Sequence, residues 1–218
     1  MSAHAATARR PAPRAIARVP APQPLLPPEV ERGLSDRQRE ILDALEALAV
    51  QDGFAELTMA QLAARVNCSL RTLYALAPRK DALLLIVIDR RLHRIGRAAM
   101  AAIEPEMDAL TALRAYLEAA TTAVAPTTEA FARKLATVPG AQPLTRAHAN
   151  VVTAVTERLL ERAVAEQQIE PVDTGALALV LGGMGAFFSR PAVLPRLQAS
   201  PKATSDAILA IVLRGLRR

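Results

Sequence analysis

Outside the first 34 residues, hydrophobic positions recur along this chain every three or four residues, the spacing of one face of an α-helix. From Ser35 onward ("SDRQREILDALEALAVQDGF"), Ile41, Leu42, Leu45, Leu48 and Ala49 follow that spacing. Ser35 and Gln38 form a capping pair at the start of this helix, and Gly53 offers a stop at its end. Thr58 and Gln61 repeat the Thr-x-x-Gln pattern ahead of a short helix whose buried face is Leu62, Ala63 and Val66. Asn67 suits a left-handed helix end, and Ser69 caps another short helix. There Leu70, Leu73 and Leu76 are expected to face inward, and Arg71, Thr72, Tyr74 and Ala75 outward. After Pro78 the spacing predicts a long amphipathic helix over 79–102, apolar along Leu83, Leu84, Ile86, Val87 and Ile95. Arg90, Arg94 and Arg97 share another of its faces. Longer apolar helices follow over 106–124, 127–137, 145–168, 173–189 and 204–217, with breaks near the prolines.

Period-two alternation is nearly missing and no Asn-Gly or Asp-Gly hairpin signal occurs, so the expected fold class is all-α. Apolar residues make up 51% of the chain without a tryptophan, which predicts a core of Leu, Ala, Val and Ile. Residues 1–34 are rich in Ala, Pro and Arg and read as a disordered or polyproline-like tail. No repeat of 20 to 50 residues points to a solenoid.

The net charge of +6 makes acidic partners worth considering, and its distribution sharpens the point. Residues 35–57 carry two basic and six acidic side chains, whereas residues 58–97 carry eight basic ones against Asp81 and Asp89. The lone Cys68 excludes an intrachain disulfide and reads as a small side chain in a tight corner. The N-terminus has no apolar signal segment, and no uncharged run reaches the roughly 18–20 apolar residues of a membrane span. A soluble, cytoplasmic protein is expected. His4, His93 and His148 stand far apart in sequence without an H-x-x-x-H pattern or a paired acidic cluster, which argues against metal or acid–base chemistry. "LGGMGAFF" (Leu181–Phe188) lacks G-x-G-x-x-G and a preceding strand, so its glycines read as sites of close helix packing. No cofactor and no enzymatic activity are expected.

Two short helices joined by a tight corner form a helix-turn-helix, whose second helix can enter the DNA major groove. Arg71 has the paired donors for a guanine edge, and Thr72 can reach a base or a phosphate. The Tyr74 hydroxyl suits a phosphate, as do the Thr58 hydroxyl with its helix N-terminus, and Lys80. With Ser69 as the cap, these six residues form the candidate DNA-binding set.

The stretch from Ile41 to Leu85 resembles the DNA-binding domain of the TetR family of bacterial transcriptional regulators. The resemblance rests on Gly53-Phe54, Leu57-Thr58, Leu62-Ala63, Val66, Ser69, Thr72-Leu73-Tyr74, Pro78, Lys80 and Ala82-Leu83-Leu84, in order and without a gap. Two departures stand out. Asn67 takes the place of a common turn glycine, and Leu76-Ala77 stand where aromatic or His residues are usual. The second predicts a junction repacked through Leu73, Leu76 and Phe54, with DNA affinity lowered or supplemented by the arginines at 90–97 or in the tail.

The resemblance implies a helix-turn-helix domain over 35–80 and a helical effector-binding and dimerisation domain over 81–218. It further implies a homodimeric repressor that binds a palindromic double-stranded DNA operator and is released by a small-molecule effector. Dimer-interface candidates are Val152, Val155, Leu159 and Ala163 on one helix and Leu177, Val180, Met184 and Phe187 on the next. The competing reading has these stripes closing each subunit's own core. Met107, Tyr116, Phe131, Met184 and Phe188 are candidates to line an apolar effector cavity, with ordinary core packing as the alternative. A different class of reading is an all-helical sensor or interaction protein that has lost operator binding.

Overall fold

The computed structural model describes residues 19–51, 57–125 and 128–216, and among these residues the chain is helical with no β-strand. Ten α-helices succeed one another among the described residues: α1 (Pro28–Gly33), α2 (Asp36–Gln51), α3 (Met59–Arg65), α4 (Leu70–Leu76), α5 (Lys80–Ala101), α6 (Ala109–Ala120), α7 (Glu129–Thr137), α8 (Ala141–Ala165), α9 (Thr174–Phe188) and α10 (Pro201–Leu216). Short 3₁₀ turns lie at Thr121–Val124 and Leu194–Arg196. Gly53 and Phe54, the expected stop of α2 and partner of the repacked junction, lie outside the described residues, as do residues 1–18.

The helices start where local chemistry directs. Ser35 and Gln38 cap α2 reciprocally: the Gln38 amide N–H donates to Ser35 Oγ at 3.2 Å, and the Ser35 N–H donates to Gln38 Oε1 at 2.8 Å. Two expectations based on proline need correcting. Residues 28–33, read as part of an unstructured tail, form α1, and Leu26 and Leu34 on either side are buried in the core. Likewise α8 begins at Ala141, ahead of Pro143, and α10 begins on Pro201. Proline in the first turn has no helical hydrogen bond to lose, so it starts these helices instead of breaking them.

Two hydrophobic clusters organise the packing. The first joins Ile41, Leu42 and Leu45 of α2 to Leu62 of α3, Leu73 of α4 and Leu83 of α5, and it extends to Val138 and Ala141. The second gathers Leu113 and Leu117 of α6, Leu159 and Leu160 of α8, Leu181 of α9 and Leu209 of α10. Helix α5 runs between them, with Leu83, Leu84, Val87 and Ile88 in the first and Ala99 in the second.

At the crossing of α8 and α9 the backbones come close at Gly182. A β-carbon there would lie 2.8 Å from Thr153 Cα and 3.0 Å from its amide nitrogen. The expectation that the glycines of 181–188 permit close helix packing is met at Gly182, whereas Gly183 has nothing within 4 Å of an added β-carbon. Gly96, by contrast, lies exposed within α5 with nothing within 4 Å of an added β-carbon. Gly182→Ala is therefore expected to destabilise the fold by about 1–3 kcal/mol, because backbone and not a movable side chain must yield. Gly96→Ala is expected to stabilise it by about 0.5–1 kcal/mol through lost chain entropy. Denaturant midpoints of the two variants check the opposite signs.

Candidate nucleic-acid interface

The corner between α3 and α4 is built almost entirely from local hydrogen bonds. Thr58 caps α3 in a capping box: its Oγ1 accepts the Gln61 N–H at 3.2 Å, while Gln61 Oε1 accepts the Thr58 N–H at 2.8 Å. At the other end Asn67 takes the left-handed conformation, φ 51°. The Cys68 N–H then reaches back to Ala63 O at 2.9 Å and the Asn67 N–H to Ala64 O at 3.2 Å. This 6→1 and 5→2 pairing is the Schellman closure, achieved here with asparagine in place of glycine. Arg37 of α2 adds a clamp by donating Nη2 to the Asn67 carbonyl at 2.7 Å. That contact spans 30 residues of sequence and had no local signal.

Cys68 is half-buried in this corner. Burial pushes its thiol above the usual range and outweighs the opposing pull of Arg37. The side chain behaves as corner packing, not as a ready thiolate.

Ser69 starts α4, its Oγ accepting the Thr72 N–H at 3.1 Å and lying 2.8 Å from Thr72 Oγ1. The two hydroxyls thus hold each other at the head of α4. Leu73 and Leu76 are buried, but Leu70 is 40% exposed, contrary to expectation. Positions three apart drift by about 60° per step around a helix of 3.6 residues per turn, so a seven-residue helix cannot bury all three. Leu70 joins Arg71 and Tyr74, itself 51% exposed, on the outward surface. Arg71 has no hydrogen-bonding or ionic partner among the described residues. Lys80 is the first residue of α5. Ala77 and Leu76 are both buried in the first cluster.

The arginines of α5 behave differently. Arg90 Nε donates to Glu31 at 3.0 Å and Nη1 to Asp43 at 2.7 Å. Burial favours its neutral form, but these two carboxylates outweigh that and raise its pKa. Arg91 Nη1 donates to Glu46 at 2.9 Å, and Arg94 also binds the Glu46 carboxylate. The expectation that the arginines at 90–97 supplement DNA contacts is corrected for Arg90, Arg91 and Arg94, which join α5 to α1 and α2. Among the described residues, Arg97 alone of that set is exposed without such a pair.

The remaining candidates are dispersed. Phe131 packs against the first cluster, whereas Met107, Tyr116, Met184 and Phe188 belong to the second, so the five do not line one cavity. Burial pushes the Tyr116 hydroxyl well above the usual phenol range. An open hollow on α8, lined by Gln142, Pro143, Arg146, Ala147 and Asn150, involves none of them. Of the dimer candidates, Val155, Leu159, Ala163 and Met184 are buried within the subunit's own core, and Val152 and Leu177 are half-buried. Val180 and Phe187 are exposed on α9, where Leu179, not foreseen, joins them.

A sequence profile for "Bacterial regulatory proteins, tetR family" matches residues 41–87, which span α2 through the first part of α5. Residues 41–87 are a tetR-family domain. Similar solved structures extend over most of the chain. A tetR-family regulatory protein from Rhodococcus RHA1 shares 22% identity, covering 84% of this chain and 98% of its own, with a TM-score of 0.61. The TetR-family transcriptional regulator PfmR from Thermus thermophilus shares 21% identity, covering 82% and 99%, with a TM-score of 0.57. A transcriptional regulator from Cytophaga hutchinsonii shares 14% identity, covering 84% and 100%, with a TM-score of 0.65. No curated protein sequence matches the chain. At these identities the structural likeness is one of fold, and it extends the tetR-type architecture beyond the matched domain.

The cap of the recognition helix gives a direct test of how this tetR-type corner is held. Ser69→Ala removes the acceptor of the Thr72 N–H and is expected to cost about 0.5–2 kcal/mol in chemical denaturation. Ser69→Asp, which restores a capping oxygen, is expected to recover most of that loss.

Proposed function

We propose that this chain is a sequence-specific DNA-binding transcription regulator that works as a homodimer on a palindromic operator. The observation that carries the reading is the outward face of α4. Arg71 stands exposed there without an internal partner among the described residues, at the N-terminal end of a helix whose start Ser69 and Thr72 hold rigid. A guanidinium so placed can donate two hydrogen bonds to a guanine edge. Tyr74 beside it, Thr58 at the head of α3 and Lys80 at the head of α5 are the proposed phosphate contacts. The burial of Leu76 and Ala77 against the first hydrophobic cluster supports a seated α4 and hence retained DNA binding.

The finer parts of the proposal concern the second half of the chain. The exposed apolar residues Leu179, Val180 and Phe187 on α9, with Ile211 on α10, support a two-fold interface in which the outer face of α9 meets its counterpart. Repression released by a small apolar effector is the proposed output, with the effector taken up among the apolar side chains between α6, α8 and α9. The protein would act in the cytoplasm, where its operator lies.

Selection of bound duplexes from a random pool tests the reading with wild type and Arg71→Ala side by side. Wild type is expected to enrich a palindrome. Arg71→Ala is expected to lose discrimination at one base pair of each half-site, by about 1–3 kcal/mol. Lys80→Ala is expected to weaken binding evenly across sequences and flatten the salt dependence by about one phosphate per half-site. Failure of the wild type to enrich any sequence at low salt would overturn the proposal and leave a sensor or interaction protein of the same fold.

A further inference from the structure

Asp89 and His93, four residues apart on one helix, are joined by the fold to His148, whose sequence position gives no hint of it. Asp89 and His93 lie one turn apart on α5, and His148 approaches from the first half of α8. His148 Nε2 is 3.0 Å from Asp89 Oδ1, and His93 Nε2 is 3.4 Å from the same oxygen. The two imidazoles meet edge to face, with centroids 4.7 Å apart. The three potential ligand atoms all lie within 4.8 Å of one another. His93 and His148, far apart in sequence, are thus neighbours in the fold.

Hydrogen bonding alone leaves this cluster incomplete. The Asp89 side chain is only 3% exposed, and those of His93 and His148 are 11% and 12% exposed. The carboxylate uses Oδ2 to accept the Leu25 N–H at 2.8 Å and Oδ1 to meet His148. His93 Nε2 is buried without any hydrogen-bond partner. Burial is the main influence on that imidazole and holds it below the usual histidine range. The Asp89 and Glu31 carboxylates oppose this shift, and His148 and Arg97 reinforce it. A buried imidazole nitrogen 3.4 Å from a carboxylate oxygen and without a hydrogen bond is a costly arrangement. It is also the arrangement that a cation would complete.

We infer that Asp89, His93 and His148 form a binding site for one divalent transition-metal ion, with Zn²⁺ the best match, that fastens α5 to α8. Two imidazole nitrogens and one carboxylate oxygen are the donor set such an ion takes, whereas Mg²⁺ and Ca²⁺ require shells made of oxygen. Ligands about 2.0–2.1 Å from a tetrahedral Zn²⁺ stand about 3.3 Å from one another. The two Asp–His separations, 3.0 and 3.4 Å, bracket that spacing, and the imidazole nitrogens, within 4.8 Å of each other, reach it by a small turn of the rings. Three protein ligands leave the fourth position to water or a small anion. The Leu25 N–H acts from behind, holding Oδ2 so that Oδ1 faces the ion. This site goes beyond the proposed DNA binding and stands without it.

Titration of metal-stripped full-length protein with Co²⁺, followed by displacement with Zn²⁺, tests the site. Wild type is expected to bind one Co²⁺ per chain with the visible bands of a four-coordinate ion, to lose those bands on adding Zn²⁺, and to melt at a higher temperature with Zn²⁺ than without. His93→Gln and His148→Gln are each expected to weaken Co²⁺ binding by at least about tenfold, the loss that even outer-shell changes produce. His148→Cys is expected to retain binding and add a thiolate-to-cobalt charge-transfer band, a gain that misfolding cannot imitate. Absence of the visible bands in wild type, equal binding by wild type and both Gln variants, or a His148→Cys protein without the new band would each overturn the inference.

Discussion

The orientation of the recognition unit depends on a carboxylate that lies almost out of reach of water. Glu46 of α2 is 5% exposed, and two guanidinium groups from α5, those of Arg91 and Arg94, close over it. Removing a charge from water costs several kcal/mol unless it is paired in good geometry, so leaving Glu46 without its guanidinium partners would be strongly unfavourable. α2 can seat on α5 in few other registers without stranding Glu46 or Arg91. Arg90 extends the lock by bridging Glu31 of α1 and Asp43 of α2. The first hydrophobic cluster supplies the cohesion, and the ion pairs tie α5 to α1 and α2.

That arrangement also changes what the basic stretch means. Three of the eight cations of residues 58–97, Arg90, Arg91 and Arg94, are paired with Asp43 and Glu46 of residues 35–57 within the same molecule. What remains for a partner is narrower, with Arg71 on α4 the clearest case. A few outward cations on a rigid corner read a surface more selectively than a diffuse basic face, because each has a defined position.

Helix α9 is apolar nearly all round, so its periodicity could not say which side is inside. Gly182 answers this by pressing against the α8 backbone at Thr153, which turns Ala178, Leu181 and Met184 inward and leaves Leu179, Val180 and Phe187 outward. The same ambiguity explains the α8 stripe. Val155, Leu159 and Ala163 have the right spacing for an interface, but they fill the subunit's core. A helical stripe shows that a face will be covered. It does not show whether the same chain or another covers it.

Local chemistry was legible in the chain itself. The helical class, the Ser35–Gln38 and Thr58–Gln61 capping boxes, the Ser69 cap and the left-handed Asn67 all depend on residues within a turn of one another. Short-range hydrogen bonds and periodic burial leave their mark in sequence because their partners are neighbours. The proline-led starts of α1, α8 and α10 were local too, but proline punctuates a chain both as a stop and as a first turn. Tertiary structure alone decided the pairing of Arg90, Arg91 and Arg94 with α1 and α2, the Arg37 clamp on Asn67, and the meeting of Asp89, His93 and His148. Those contacts join residues up to 59 positions apart, and side chains so distant meet only after packing has chosen which helices touch.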